Sequence, residues 1–99
     1  MNQKSTATSK RIQDELQRMI THDRLIQLLQ YNERTGLFIW RDTQTIADKG
    51  LEGYRRLVVD SKSYLSHHLA WYYMNKEWRE DIIHVNKNKG DNSIDNLRV

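Results

Sequence analysis

Residues 64–99 read YLSHHLAWYYMNKEWREDIIHVNKNKGDNSIDNLRV, and the fold turns on how this stretch is parsed. Leu69, Ala70, Tyr73 and Met74 recur at helical spacing, so a helix is expected to start at His67 and stop near Asn75 and Lys76. Trp78 should pack back onto whatever sheet that helix crosses. Residues 82–85 then form a short apolar run, a strand that carries His84. Residues 86–92 are crowded with Asn, Lys and Asp, the composition of a loop. Leu97 opens a second strand able to pair with the first. The stretch thus reads as a helix and a two-stranded tip, with a histidine where the first strand runs into the loop.

The same reading extends toward the N-terminus. Residues 64–66 are a returning strand, Asp60, Ser61, Lys62 and Ser63 a hairpin turn, and residues 54–59 the outgoing strand. Residues 42–53 are polar and hold Gly50 and Gly53, so they read as a loop. Residues 37–40 are a short strand. It is preceded by the turn Asn32-Glu33-Arg34-Thr35-Gly36, which Asn opens and in which Gly permits a positive φ. Thr21 can cap a helix with Asp23 in its first turn, where the helix dipole favours negative charge. Leu25, Leu28 and Leu29 would be its buried stripe, and its end is expected near Tyr31. Ile12, Leu16, Met19 and Ile20 share one face of an earlier helix over residues 9–20. Residues 1–9 are small and polar and are expected to be disordered.

The class is therefore α+β: N-terminal helices, a small antiparallel sheet with a crossing helix, and the C-terminal two-stranded tip. Residues 1–20 form a polar tail and amphipathic helix extension, and residues 21–99 form the domain. A chain of 99 residues supports one modest core. With no cysteine it has neither disulfides nor thiolate metal sites, which fits a reducing cytoplasm. No apolar run approaches the length of a membrane span, and the first ten residues lack the apolar core of a secretory signal. A net charge of +3 permits nucleic-acid binding without requiring it. The apolar stripe of the N-terminal helix must bury itself on its own domain, on a partner, or in a homodimer.

Residues 22–98 resemble the phage-type HNH endonuclease family. The resemblance rests on an ordered series: Tyr31 to Trp40, the Gly53-Tyr54-Arg55-Arg56 step, Tyr64 leading to His67-His68-Leu69-Ala70-Trp71, then Glu77-Trp78. It ends on Ile82-Ile83-His84 and Asp91-Asn92-Ser93-Ile94-Asp95-Asn96-Leu97-Arg98. The resemblance implies a ββα-metal finger in a bacterial host cytoplasm. A strand-end carboxylate and a later His or Asn on a following helix would hold one divalent cation, Mg²⁺ or Mn²⁺. It places His84 at the general-base position and Asn96 at the position that fixes the loop. Asp91 and Asn92 lie in that loop. The chemistry is sound, since a neutral imidazole can take a proton from water while the cation stabilises charge on the phosphate.

Two departures bear on that expectation. The family's carboxylate directly before the His is replaced by Ile83, which cannot ligate a hard cation. The ligand-bearing helix would follow Leu97, and the sequence ends at Val99, so the finger is expected to be incomplete. The family pattern is also altered at His68, Arg79 and Lys87. Asp81 has the wrong strand parity to substitute for the lost carboxylate, whereas Asp91 or Asp95 could turn inward.

Three functional classes follow. The first is an HNH-derived module, catalytically impaired, that binds DNA with Arg55, Arg56, Lys87, Lys89 and Arg98 as phosphate contacts and needs no cofactor. The second is an inhibitory, anti-defence phage protein, comparable to an anti-CRISPR, that binds a host protein or nucleoprotein complex. The third is an active metal-dependent endonuclease that nicks or cleaves DNA, with His84 as base. In the first two, His84 would make a structural hydrogen bond to the loop. His67 and His68 read as a helix-start pair, one on backbone and one facing solvent. Trp40, Trp71 and Trp78 read as core.

Overall fold

The computed structural model describes residues 19–50 and 53–99. Helix α1 (His22–Leu28) runs into strand β1 (Leu29–Tyr31), which pairs antiparallel with β2 (Phe38–Trp40). β3 (Arg56–Val59) and β4 (Lys62–Leu65) form a hairpin, and β4 passes directly into helix α2 (Ser66–Asn75). β5 (Ile83–His84) pairs with β6 (Leu97–Arg98), which follows a 3-10 turn at Ile94–Asn96. The class is α+β. Among the described residues its antiparallel pairing is divided into three two-stranded ladders, and single bridges Ile39–Ile46 and Lys49–Arg56 pair the intervening loop with β2 and β3. The predicted N-terminal helix over residues 9–20 falls mainly outside the described residues. No helix among the described residues is long and apolar enough to cross a membrane.

α1 begins as its sequence dictates. Thr21 is the N-cap, and its hydroxyl accepts the Arg24 amide hydrogen at 3.1 Å. The helix ends at Leu28, earlier than the leucine spacing predicts. Leu29 turns to extended backbone because β1 needs Leu29 and Tyr31 on the core side and Gln30 outside, a strand alternation that helical spacing would break. The hairpin turn is also tighter than predicted. Asp60 and Ser61 alone form it, with φ of 50° and 63°, so Lys62 already pairs with Val59. Positive φ at both central residues is the two-residue geometry that matches strand twist. Arg24 grips Asp60 through two hydrogen bonds of 3.2 Å and so ties α1 to this turn.

The core draws on both helices and on strands β1 to β4 and β6. Leu25, Leu29, Phe38 and Leu69 are inaccessible to solvent, and Leu57, Val59, Ala70, Ile82 and Leu97 are buried with them. Tyr31, Phe38 and Tyr73 stack their rings at 5.0–6.0 Å between centroids. Trp40, Trp71 and Trp78 pack against this cluster, and Trp78 meets Tyr64 edge-on. Met74, placed on the apolar face of α2 by its spacing, is instead exposed beside the helix end at Lys76.

The turn between β1 and β2 is docked against the loop that follows β5. Asn32 Oδ1 accepts the amide hydrogens of Arg34 and Thr35, and Gly36 holds φ at 75°. A Cβ at Gly36 would stand 2.2 Å from the backbone carbon of Asn92. Ile94 N donates to Glu33 O at 2.9 Å beside it. Gly36→Ala thus combines an unfavourable φ with a backbone clash, and we expect it to cost about 2 kcal/mol or more. Thermal melts measure the loss, and amide exchange should show it concentrated at residues 92–96.

Candidate functional site

The tip is built on two residue pairs, Ile83 with Arg98 and His84 with Leu97. Leu97 is buried, which brings the His84 ring to the inner side, while Ile83 and Arg98 face outward. Val85 N donates to Asn96 O, and Lys87 N donates to His84 O, so the chain turns sharply just after the histidine. Lys87 adopts φ of 63° to do this.

Asn96 stitches the loop shut. Its Oδ1 accepts from Asn86 N at 2.9 Å, and its Nδ2 donates to Asn86 Oδ1 and to Asp91 O. Asp91 is engaged in turn: Ser93 donates to Oδ1 from both its backbone N and its hydroxyl, and Asn86 Nδ2 donates to Oδ2. Those bonds hold the Asp91 carboxyl below its ordinary range, the Ser93 hydroxyl contributing most.

Asn92 lies at the centre and is wholly buried. Its Oδ1 accepts a 2.7 Å hydrogen bond from His84 Nε2, which leaves His84 Nδ1 as the ring's acceptor. Its backbone oxygen accepts from the Tyr31 hydroxyl. Burial first, with Glu33 and other nearby carboxylates adding, pushes the Tyr31 pKa far up, so this donor stays protonated. Asn92 Nδ2 has no partner among the described residues.

The structure brings His84, Asn92, Asn96 and Asp91 together in one loop. Lys87 and Lys89 stand exposed at its rim, and Arg98 is exposed on the neighbouring strand. Arg56 is exposed on β3. Arg55 is placed differently from the expectation of a phosphate contact. Its guanidinium donates to buried Asp48 Oδ2 at 3.0 Å and to the carbonyls of Asp48 and Gly50. Asp48 also accepts from Phe38 N, so this ion pair belongs to the domain's interior and a phosphate would have to break it.

Of the helix-start pair expected at His67 and His68, with one on backbone and one facing solvent, His67 is the more deeply buried. It is only 4% exposed, 4.8 Å from the His84 ring, with the Tyr54 ring stacked on it at 5.2 Å. The helix begins at Ser66, one residue early, and His67 is buried with Ser66, Leu69 and Ala70. Burial, with smaller contributions from His68 and His84, lowers its pKa to about 4. His67 and Tyr54 are the neighbours of His84 that a reading of the sequence misses. The one signal for Tyr54 is its alternation with Arg55 ahead of β3.

The side chains do not fit a metal. Ile83 offers hydrocarbon where the resemblance requires an oxygen ligand, and Asp81 is held by Arg79 through bonds of 2.8 and 2.9 Å. Among the described residues no group of three His, Cys, Asp or Glu is placed to hold an ion.

Residues 64–99 match the family model described as HNH endonuclease, which shows the resemblance for this segment. No curated protein and no solved structure matches the chain.

The buried neutral His67 has a pH consequence. Its folded pKa is about 4 and its ordinary value is 6.5, so the unfolded chain binds the extra proton between these limits. Its contribution to stability is full above pH 6.5 and is lost as pH falls toward 4. Melting temperatures across that window should fall with acidification, and less steeply in His67→Gln.

Proposed function

We propose that this protein is an HNH-derived module that binds DNA while its own hydrolytic site is impaired. Residues 21–99 act as the binding domain, and Lys87, Lys89, Arg98 and Arg56 meet phosphates. The observation that carries the reading is Ile83: it stands where the resemblance requires a carboxylate, and its side chain is 58% exposed. Asp91 is engaged by Ser93 and Asn86 and Asp81 by Arg79, while Asp95 faces solvent rather than turning inward. The loop around His84 is hydrogen-bonded throughout, so it presents its lysines from a fixed frame. His84 serves that frame by donating to Asn92, and Asn96 closes it.

A second reading, an inhibitory protein acting on a host nucleoprotein complex, is favoured by the exposed apolar pair Ile83 and Val85 on the outer side of the tip. Such a pair beside Arg98 suits a mixed apolar and basic surface on the partner.

Two experiments test the main reading. With Mg²⁺ or Mn²⁺ and supercoiled plasmid, the native chain should nick no more than His84→Ala. Nicking that disappears in His84→Ala would overturn impairment and restore His84 as a general base. In the second, DNA affinity should fall steeply with salt. Lys87→Ala with Lys89→Ala should flatten the slope of log K against log salt by about 0.9 for each phosphate that is no longer neutralised. Binding unchanged from low to high salt counts against phosphate recognition.

A further inference from the structure

Beside His84 lies a depression of about 250 Å³, lined by Tyr54, Ile82, Ile83, His84, Lys87 and Lys89. One wall is apolar and the rim is basic. Tyr54 precedes β3 and keeps 44% of its surface in solvent although other rings surround it. One face of its ring lies on His67, 5.2 Å between centroids and 25° from parallel. His67 is itself buried in α2, so the tyrosine rests on a fixed floor. The Lys89 ammonium sits 4.8 Å from the Tyr54 centroid. His67 is buried beneath the ring and Lys89 is exposed, so the lysine stands on the solvent side.

A cation over a solvent-exposed ring is held weakly, more weakly than a stacked base. A base arriving on the outer face of Tyr54 would displace Lys89 and leave its ammonium at the rim. Within a duplex both faces of a base are covered by its neighbours. An aromatic shelf is therefore open only to a base that is unpaired or turned out of the stack. We propose that this depression binds one unpaired nucleobase of DNA, stacked on Tyr54, with Lys89 moved from the ring to the adjoining phosphate.

This rests on the DNA-binding reading above and adds the form of DNA that is bound: single strands, gaps or distorted sites. Isoleucine at position 83 gains a purpose here. A carboxylate would set negative charge beside the phosphate, whereas Ile83 extends the apolar wall. Neutral His67 under the ring serves the same end, since burial keeps the floor uncharged near neutral pH.

The test uses the full chain and three labelled probes of one sequence: a single strand, its duplex, and a single strand carrying one 2-aminopurine. Anisotropy should show the single strand bound at least ten-fold more tightly than the duplex. Tyr54→Ala should weaken single-strand binding roughly ten- to a hundred-fold, Tyr54→Phe should retain it, and the salt slope of Tyr54→Ala should stay at the native value. Should Tyr54→Ala unfold, the native chain with the 2-aminopurine probe still decides, because stacking quenches that fluorescence. Equal affinity for duplex and single strand, with no quenching, overturns this proposal and leaves phosphate binding standing. Failure to bind any of the three probes overturns both.

Discussion

Asn92 has no access to water, and the rest of the site is arranged around its two oxygens. A buried acceptor left without a donor costs on the order of 1–3 kcal/mol, so the surroundings are constrained to supply one for each, while Nδ2 lacks a partner among the described residues. His84 donates to its side chain, and Tyr31 donates to its backbone. The two donors come from opposite ends of the domain, one from β5 and the other from β1. Meeting both demands, together with the burial of Ile82 and Leu97 in the core, fixes where the tip stands relative to the body. β5 and β6 pair over only two residues each, a ladder too short to stand alone.

The turn after β1 completes this attachment. Gly36 lets the backbone of residues 92 and 93 approach closer than any side chain would allow, and Glu33 O receives the Ile94 amide hydrogen. Asn96 then binds the loop to itself from within. The result is a polar loop whose side chains are mostly engaged with one another, with Lys87 exposed at its rim and Lys89 lying over the Tyr54 ring. An organised rim of this kind loses little side-chain and backbone freedom when a ligand arrives, which is how preorganisation strengthens binding.

Legibility in the sequence follows the reach of each interaction. The Thr21 cap, the Asn32–Gly36 turn and the β3–β4 hairpin are local, and short-range chemistry announces them. The end of α1 is misplaced by its spacing because leucines at helical intervals continue into β1, and only pairing with Phe38–Trp40 decides between helix and strand. His84, Asp91, Asn92 and Asn96 are legible as a group because they lie within one loop. His67 and Tyr54 are not, since they come from other elements and meet His84 only through the tertiary packing of α2 and the segment before β3. Arg55 illustrates the same limit: its partner Asp48 lies in a loop with no periodic signal, and the fate of its charge depends on that burial.

Ile83 joins these observations. In a site that assembles a dication, removing a carboxylate forfeits a ligand, and that loss is large because a hard cation needs oxygen around it. In a site that receives phosphate, the same removal takes away a repulsion. Two unit charges a few ångströms apart near a protein surface interact by about 4 kcal/mol at an effective dielectric of 20. Asp91 keeps its negative charge, which the hydrogen bonds from Ser93 and Asn86 stabilise. Lys87, Lys89 and Arg98 are the exposed cations beside it, and Asp95 is exposed on the same segment. An isoleucine at position 83 thus disfavours a metal and, on the proposed reading, favours a phosphodiester, while Asn92, Asn96 and Gly36 hold the loop in place.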